Sequence, residues 1–259
     1  MSGADQVELF EMPLARYDRG QLLDHMFTAL ARGQGGWLIT ANLDFLRRWT
    51  QHRETRELYA QADLRVADGM PLVWASRIMG DPLPERVAGS ELIWLVAERA
   101  AIEGRSVYLL GGAPDAAEEA REQLVGRYPA LDVCGCTSPF IGDPPSAREL
   151  DEIRSALRAA QPDIVLVAFG SPKQERAIQA LKDDLPSTWM IGVGISFSFV
   201  AGHVRRAPPW IQRLGLEWVH RLAQEPRRLA RRYLIDDLPF AARLFARAVV
   251  ARRTGPADL

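Results

Sequence analysis

Cysteine, histidine and lysine are scarce in this chain of 259 residues, and each shortage removes a class of chemistry. The two cysteines, Cys134 and Cys136, flank Gly135. That spacing is too short for an ordinary disulfide between neighbouring elements, and no His or Cys cluster stands near to complete a zinc site. Both are therefore expected as buried strand residues. The four histidines, His25, His52, His203 and His220, are scattered and form no H-x-x-x-H pair. Asp183-Asp184 and Asp236-Asp237 read as solvated or capping acids rather than as a metal clamp. The expectation is a site that uses no metal and no organic cofactor. Lysine is confined to Lys173 and Lys182, so nearly all positive charge is arginine, and clustering says more than number.

Long apolar runs are missing as well. None approaches the roughly 18–20 residues that cross a bilayer. Residues 1–20 carry early acids and no signal-peptide core, so a cytoplasmic protein is expected. There is no complete G-x-G-x-x-G and no P-loop lysine, which disfavours a nicotinamide-dependent dehydrogenase and a P-loop NTPase. No internal repeat or low-complexity stretch breaks the first 200 residues.

What is present is an alternation of short apolar runs with segments of helical periodicity. Strands are predicted at 37–40, 64–67, 106–110, 132–136, 163–168 and 189–193, after a single edge strand over 7–14. Helices are predicted between them, at 21–32, 43–51, 54–61, 71–79, 90–101, 115–128, 147–160 and 172–181. This is the pattern of βαβ units: a mainly parallel, Rossmann-like α/β sheet flanked by helices, with ligands bound beyond the carboxyl ends of the strands. Thr40 to Asn42, Asp68-Gly69, Gly111-Gly112, Gly170 to Gln174 and Gly192 to Gly194 all fall at those ends.

Each of these admits two readings. Gly111-Gly112 is either a tight turn or a place where backbone N–H groups approach a diphosphate. Ser171-Pro172-Lys173-Gln174 fits a capping box with Pro172 at the first helical position, while Lys173 and Gln174 remain free to face a ligand. Asp68 is either a turn residue or a general base, Asn42 a helix cap or a site residue, and Arg86 a solvated charge or a phosphate ligand.

Residues 203–259 differ from the rest. They hold twelve arginines against five acids, a local charge of about +7 in a chain whose net charge is −1. Ile211, Leu214, Trp218 and Leu222 form one apolar stripe at helical spacing. A second helix starts at Pro226, with Arg227, Arg228, Arg231 and Arg232 around Leu229 and Tyr233. A third carries Leu238, Ala242, Phe245 and Val249. The expected division is an α/β core over 1–202 and an arginine-rich, amphipathic helical appendage over 203–259. Its partner is anionic. A nucleic acid is disfavoured by the negative core, the apolar stripes and the lack of a recognised nucleic-acid motif.

The ordered set TANLDFLRRW (40–49), ADLRVADGMPLVWASR (62–77), PERVAGSEL (84–92), VYLLGGAP (107–114), PDIVLVAFGSPKQE (162–175), GVG (192–194) and AGHVRRAP (201–208) resembles the bacterial WecG/TagA/CpsF glycosyltransferases over nearly the whole chain. The resemblance implies metal-independent, inverting transfer of a hexose-type sugar (N-acetylmannosamine, glucose or glucuronic acid) from a UDP-sugar to an undecaprenyl-diphosphate-linked acceptor, in cell-surface polysaccharide synthesis at the inner face of the plasma membrane. It implies Asp68 as catalytic base and Thr40 and Asn42 in the same pocket. Arg86, Gly170, Lys173 and Gln174 would hold substrate, with Gly111 and Gly112 near the nucleotide. Arg221, Arg228 and Arg231 would reach substrate diphosphates, and the tail would bind the membrane and cover the site. Ser198 stands where many members carry Asp. A non-catalytic nucleotide-sugar-binding module is the alternative, and assembly into a homo-oligomer is left open.

Overall fold

The computed structural model describes residues 6–254 except 209 and 212–214, and the side chains of Arg228 and Thr254 lie outside that description. Six parallel strands form the main sheet: β3 (Gly36–Ala41), β4 (Leu64–Ala67), β5 (Ser106–Gly111), β6 (Asp132–Thr137), β7 (Ile164–Ala168) and β8 (Trp189–Gly192). Their order across the sheet is β4-β3-β8-β7-β5-β6. Strands covered on both faces read as continuous apolar runs. Every residue of β4, β7 and β8 is accordingly buried. The edge strand β6 is only half-buried, and so are its cysteines, which the sequence reading had placed in the interior.

Right-handed crossovers decide which helix lies on which face. The connections β3 to β4, β6 to β7 and β7 to β8 step one way across the sheet. Their helices α2 (Leu43–Gln51), α3 (Arg53–Ala60), α7 (Ala147–Ala160) and α8 (Lys173–Leu181) share one core cluster, which α4 (Met70–Met79) also joins. The opposite steps put α5 (Gly89–Glu103) and α6 (Ala116–Arg127) on the other face, with α1 (Arg19–Ala31) and α9 (Ser196–Val200). The five strand ends that carry the sequence-predicted site residues, those of β3, β4, β5, β7 and β8, therefore open on one rim.

The predicted edge strand over 7–14 is instead a hairpin, β1 (Gln6–Leu9) and β2 (Met12–Ala15). Phe10 and Glu11 turn it at φ 48° and 60°. Such turns usually announce themselves with Asn or Gly, and this one does not. The position is held from outside: Trp49 Nε1 donates to the Phe10 carbonyl at 3.1 Å. Arg65, buried in β4, ties the hairpin to the sheet through the carbonyls of Pro13 (3.1 Å), Tyr59 (2.9 Å) and Ala62 (2.7 Å).

The tail runs through α10 (Glu217–Gln224), α11 (Pro226–Ala230), a π-helical turn (Arg231–Asp237) and α12 (Leu238–Thr254). Its predicted first stripe lies partly outside the described residues, at Leu214. In α12 the buried side is Phe240, Leu244, Ala248 and Ala251, and the first three pack into the α4 side of the core. Of the stripe read from sequence, Leu238–Ala242–Phe245–Val249, Phe245 is half-buried and packs against this core, whereas Leu238, Ala242 and Val249 are exposed. Both stripes exist at helical spacing, and only the fold says which one is packed. Asp237, expected as a solvated cap, is buried between Arg47 (3.2 Å) and Arg232 (3.5 Å) and fastens the tail to α2. Among the described residues no helix is long and apolar enough to cross a membrane.

Candidate active site

Two half-sites meet on the rim. The first lies beyond β3 and β4. The Asp68 N–H donates to the Ala41 carbonyl at 2.7 Å, which sets Asp68 beside Asn42 as both strands end. Asn42 caps α2, its Oδ1 accepting from the N–H groups of Asp44 (3.0 Å) and Phe45 (3.3 Å). The backbone N–H of Gly89 favours the charged form of the Asp68 carboxylate. The approach is close: a Cβ at residue 89 would sit 3.2 Å from Thr40 Oγ1, so a larger residue would have to displace the Thr40 hydroxyl by a few tenths of an ångström. Thr40 is buried and donates to the Gly192 carbonyl at 3.3 Å.

Burial pushes the Asp68 carboxyl up to about 7; the Arg86 guanidinium opposes the shift, while Glu217 and Glu91 add to it. A carboxylate in that range can take a proton near neutral pH. Arg86 itself is neither solvated nor free. Its Nη1 donates to Glu217 at 2.9 Å and its Nη2 to Glu91 at 3.0 Å. Arg206 joins the same carboxylates, Glu91 at 2.8 Å and Glu217 at 3.6 Å. Sequence reasoning named neither Arg206 nor Glu217, although AGHVRRAP had pointed at the first.

The second half-site is a cleft of about 710 Å³ beyond β5, β6, β7 and β8. Gly112, Gly170 and Lys173 line it. Gly111 stands behind Gly112, and both have positive φ, 95° and 94°. Side chains there would collide, since a Cβ on Gly111 would lie 2.9 Å from the Phe169 ring and one on Gly112 3.1 Å from Phe197. Phe140 on the rim is 86% exposed. Its loop is nonetheless tied down: Ser138 Oγ donates to the Gly111 carbonyl (2.9 Å), Lys173 Nζ to the Ile141 carbonyl (2.9 Å), and Gly142 N to Glu149 (3.1 Å). The Lys173 ammonium stands 5.2 Å from the Phe140 ring centre. Ser138, Phe140, His203 and Glu225 are cleft residues that sequence reasoning passed over. An aromatic residue in a polar loop after a strand was the available signal for Phe140.

Gln174 lies beneath the seam between the halves. Its Oε1 accepts from Gly194 N–H at 3.1 Å, and its Nε2 donates to Glu175 at 2.7 Å. A Cβ on Gly192 would reach within 2.6 Å of that Nε2. Gln174 is therefore packed under the β8 loop and makes no capping box. The helix begins after Pro172 without a side-chain cap, and Ser171 instead bonds Tyr59 at 2.8 Å. Burial raises Glu175 to about 7, against hydrogen bonds from Gln174 and Ser171. Its Oε2 is buried with no hydrogen-bond partner among the described residues. A neutral carboxyl explains an oxygen left in that position better than a carboxylate does.

The tail arginines separate. Arg221 lies 5.7 Å from the Phe199 ring centre, its buried Nε without a hydrogen-bond partner among the described residues. Arg231 is exposed, and the Arg228 side chain lies outside the description. No group of three His, Cys, Asp or Glu is placed to hold a metal ion among the described residues.

Comparison with known proteins gives the family. The sequence profile of the family "Glycosyl transferase WecG/TagA/CpsF" matches residues 7–254. The chain is also similar to an N-acetylglucosaminyldiphosphoundecaprenol N-acetyl-beta-D-mannosaminyltransferase of Bacillus spizizenii. It is 29% identical to that protein over 204 residues, which cover 79% of this chain and 77% of the relative. With the family profile running from the hairpin to the last tail helix, the chain belongs to the WecG/TagA/CpsF family and is a glycosyltransferase.

Proposed function

We propose that this glycosyltransferase moves a hexose-type sugar from a UDP-sugar to an undecaprenyl-diphosphate-linked acceptor sugar, by a single inverting displacement with Asp68 as base. The observation that carries the reading is the division of the rim: a half-buried carboxylate with a raised proton affinity on one side of the β8 loop and a glycine-turned cleft on the other. The donor's diphosphate belongs in the cleft, against the backbone beyond Gly112 and Gly170 and the Lys173 ammonium. The exposed Phe140 ring offers a platform for the base. The acceptor hydroxyl approaches from the Asp68 side. Its oxygen attacks the anomeric carbon as its proton passes to Asp68, and the bond to UDP breaks with the electron pair leaving on the diphosphate. Lys173, backbone N–H groups and Arg221 supply charge stabilisation without assigning that task to a metal or cofactor.

The relative's name makes N-acetylmannosamine the first donor sugar to test and N-acetylglucosaminyl-diphosphoundecaprenol the first acceptor. Ser198 lines the donor cleft and is a place where sugar preference can be set. Access to a lipid-borne acceptor fits a protein lying on the inner face of the plasma membrane. The tail exposes Leu234, Ile235, Leu238, Val249 and Val250 in one arginine-rich stretch, a combination suited to an anionic interface.

The test incubates purified enzyme with UDP-N-acetylmannosamine and a synthetic polyprenyl-diphosphate N-acetylglucosamine, and identifies product by mass. Wild-type protein is expected to form the disaccharide lipid. Asp68→Asn is expected to lose at least about 100-fold in rate while binding UDP within about twofold of wild type. Normal turnover by folded Asp68→Asn protein refutes the assignment. UDP binding without any transfer by wild-type protein leaves the non-catalytic module instead.

A further inference from the structure

Arg86 has a task that its place in the half-site does not by itself explain. Both of its terminal nitrogens are engaged, one by Glu91 and one by Glu217, and its side chain is only 14% exposed. Arg206 closes the ring from the other side, so that two cations and two carboxylates alternate next to Asp68. Arg19 on α1 lies behind, paired with Glu91 at 3.2 Å and Glu85 at 2.9 Å. The groups that act on Asp68 are thus Arg86 from the loop before α5, the Gly89 N–H and Glu91 from α5, and Glu217 from α10. Among the described residues Asp68 forms no ion pair.

An arginine beside a lone carboxylate ordinarily forks onto it through two parallel N–H groups. Such a pair would occupy the oxygens needed to take a proton and would make the carboxylate a poor base. Here the fork is already filled. Glu91 belongs to the core, but Glu217 comes from the tail, 131 residues further along the chain from Arg86.

We propose that Glu217 is a positioning residue for sugar transfer: by holding Arg86 from the tail, it keeps the guanidinium from pairing with Asp68 and leaves Asp68 free as the base. The inference rests on Asp68 being that base. Arg86 then stays at hand as a fixed positive charge near the reacting oxygens without neutralising the group that must accept the proton. The tail contributes a carboxylate to this half-site, whereas its sequence had advertised arginine.

The sign of the effect makes it testable. Removing the Glu217 charge takes away a neighbour that raises proton affinity at Asp68, and it releases Arg86, which lowers it. The acidic limb of the kcat/KM profile of Glu217→Gln should therefore move to lower pH, by about one pH unit. The plateau should fall about tenfold or more, because Arg86 now covers a weaker base. Glu217→Asp keeps the charge and should retain the wild-type limb. Arg206→Gln leaves Glu217 more fully to Arg86 and should move the limb the other way. Rates are measured with UDP-N-acetylmannosamine and synthetic polyprenyl-diphosphate N-acetylglucosamine, and each variant's melting curve and UDP affinity are recorded alongside.

A merely structural Glu217 predicts an equal loss at every pH with the limb unmoved, and that result overturns the proposal. So does a wild-type profile for Glu217→Gln. If Glu217→Gln does not fold, the upward shift of Arg206→Gln remains decisive, and its absence overturns the proposal equally. Failure of the underlying reading looks different: Asp68→Asn itself would turn over normally.

Discussion

A carboxylate held where its charge is disfavoured costs the fold stability, and the cost at Asp68, the proposed base, can be worked out. Its carboxyl is pushed from 3.8 to about 7, mainly by burial. Between those values the folded protein holds a proton that the unfolded chain has already released, so stability falls as pH rises through that window and is level on either side of it. At about 1.4 kcal/mol per pH unit, the full loss above pH 7 has an upper limit of about 4 kcal/mol. Asp68 keeps a solvent-facing edge at the rim, and screening there brings the expected loss to about 1–2 kcal/mol. Asn at position 68 imitates the protonated form and escapes the loss. Asp68→Asn is therefore expected to match wild type in denaturant midpoint below pH 4 and to be the more stable protein at pH 8, while being inactive. The assay is urea unfolding of both proteins at closely spaced pH values between 4 and 8. Wild type carries a second buried carboxyl raised to about 7, Glu175, but it is common to both proteins and cancels in the difference. A stability difference that does not grow between pH 4 and pH 8 would refute the claim that Asp68 is held in a place that disfavours its charge.

The remaining expectations concern the cleft and the tail. Phe140→Ala should weaken UDP binding about tenfold, the loss of one ring-on-base contact, with little effect on melting because the ring is exposed; unchanged affinity in a titration would remove the ring from the donor site. Deleting residues 203–259 is a poor test of membrane binding, since it strips Phe240, Leu244 and Ala248 from the core. The exposed positions are the better target: Leu234→Ser, Ile235→Ser and Leu238→Ser together should leave melting unchanged and cut sedimentation with anionic vesicles about tenfold or more. Equal vesicle binding by that triple variant would point away from this stretch as the contact.

Local sequence carried the sheet well because its signals are local. Runs such as Ile164–Ala168 are apolar end to end only when both faces of a strand are covered, and Asn42 caps its helix as that residue type does wherever the following N–H groups are free. The hairpin was misread because its turn uses Phe10 and Glu11, whose conformation is imposed by Trp49 and by the ring stack of Phe10 on Phe240 at 5.5 Å. Ser171 failed as a cap for a similar reason: a partner far away in sequence, Tyr59, engages its hydroxyl.

The half-sites show where such legibility stops. Asp68, Thr40 and Gly112 occupy strand ends, and parallel topology alone brings strand ends together. Glu217 occupies no strand end, and its neighbours Leu216 and Trp218 mark only an amphipathic turn. Its meaning depends on the tail folding back across the rim, which depends in turn on Asp237 reaching Arg47 and on Phe240 finding the face of α4. Charge composition drew attention to this tail for its arginines. Yet in the first half-site the tail offers a balanced pair, Arg206 and Glu217, and Glu217 takes up one arm of the Arg86 guanidinium beside Asp68. Net charge describes what a segment meets at long range, from a membrane to a diphosphate. What it does at contact distance is set by the single residue that the fold delivers there, and here that residue has the minority sign.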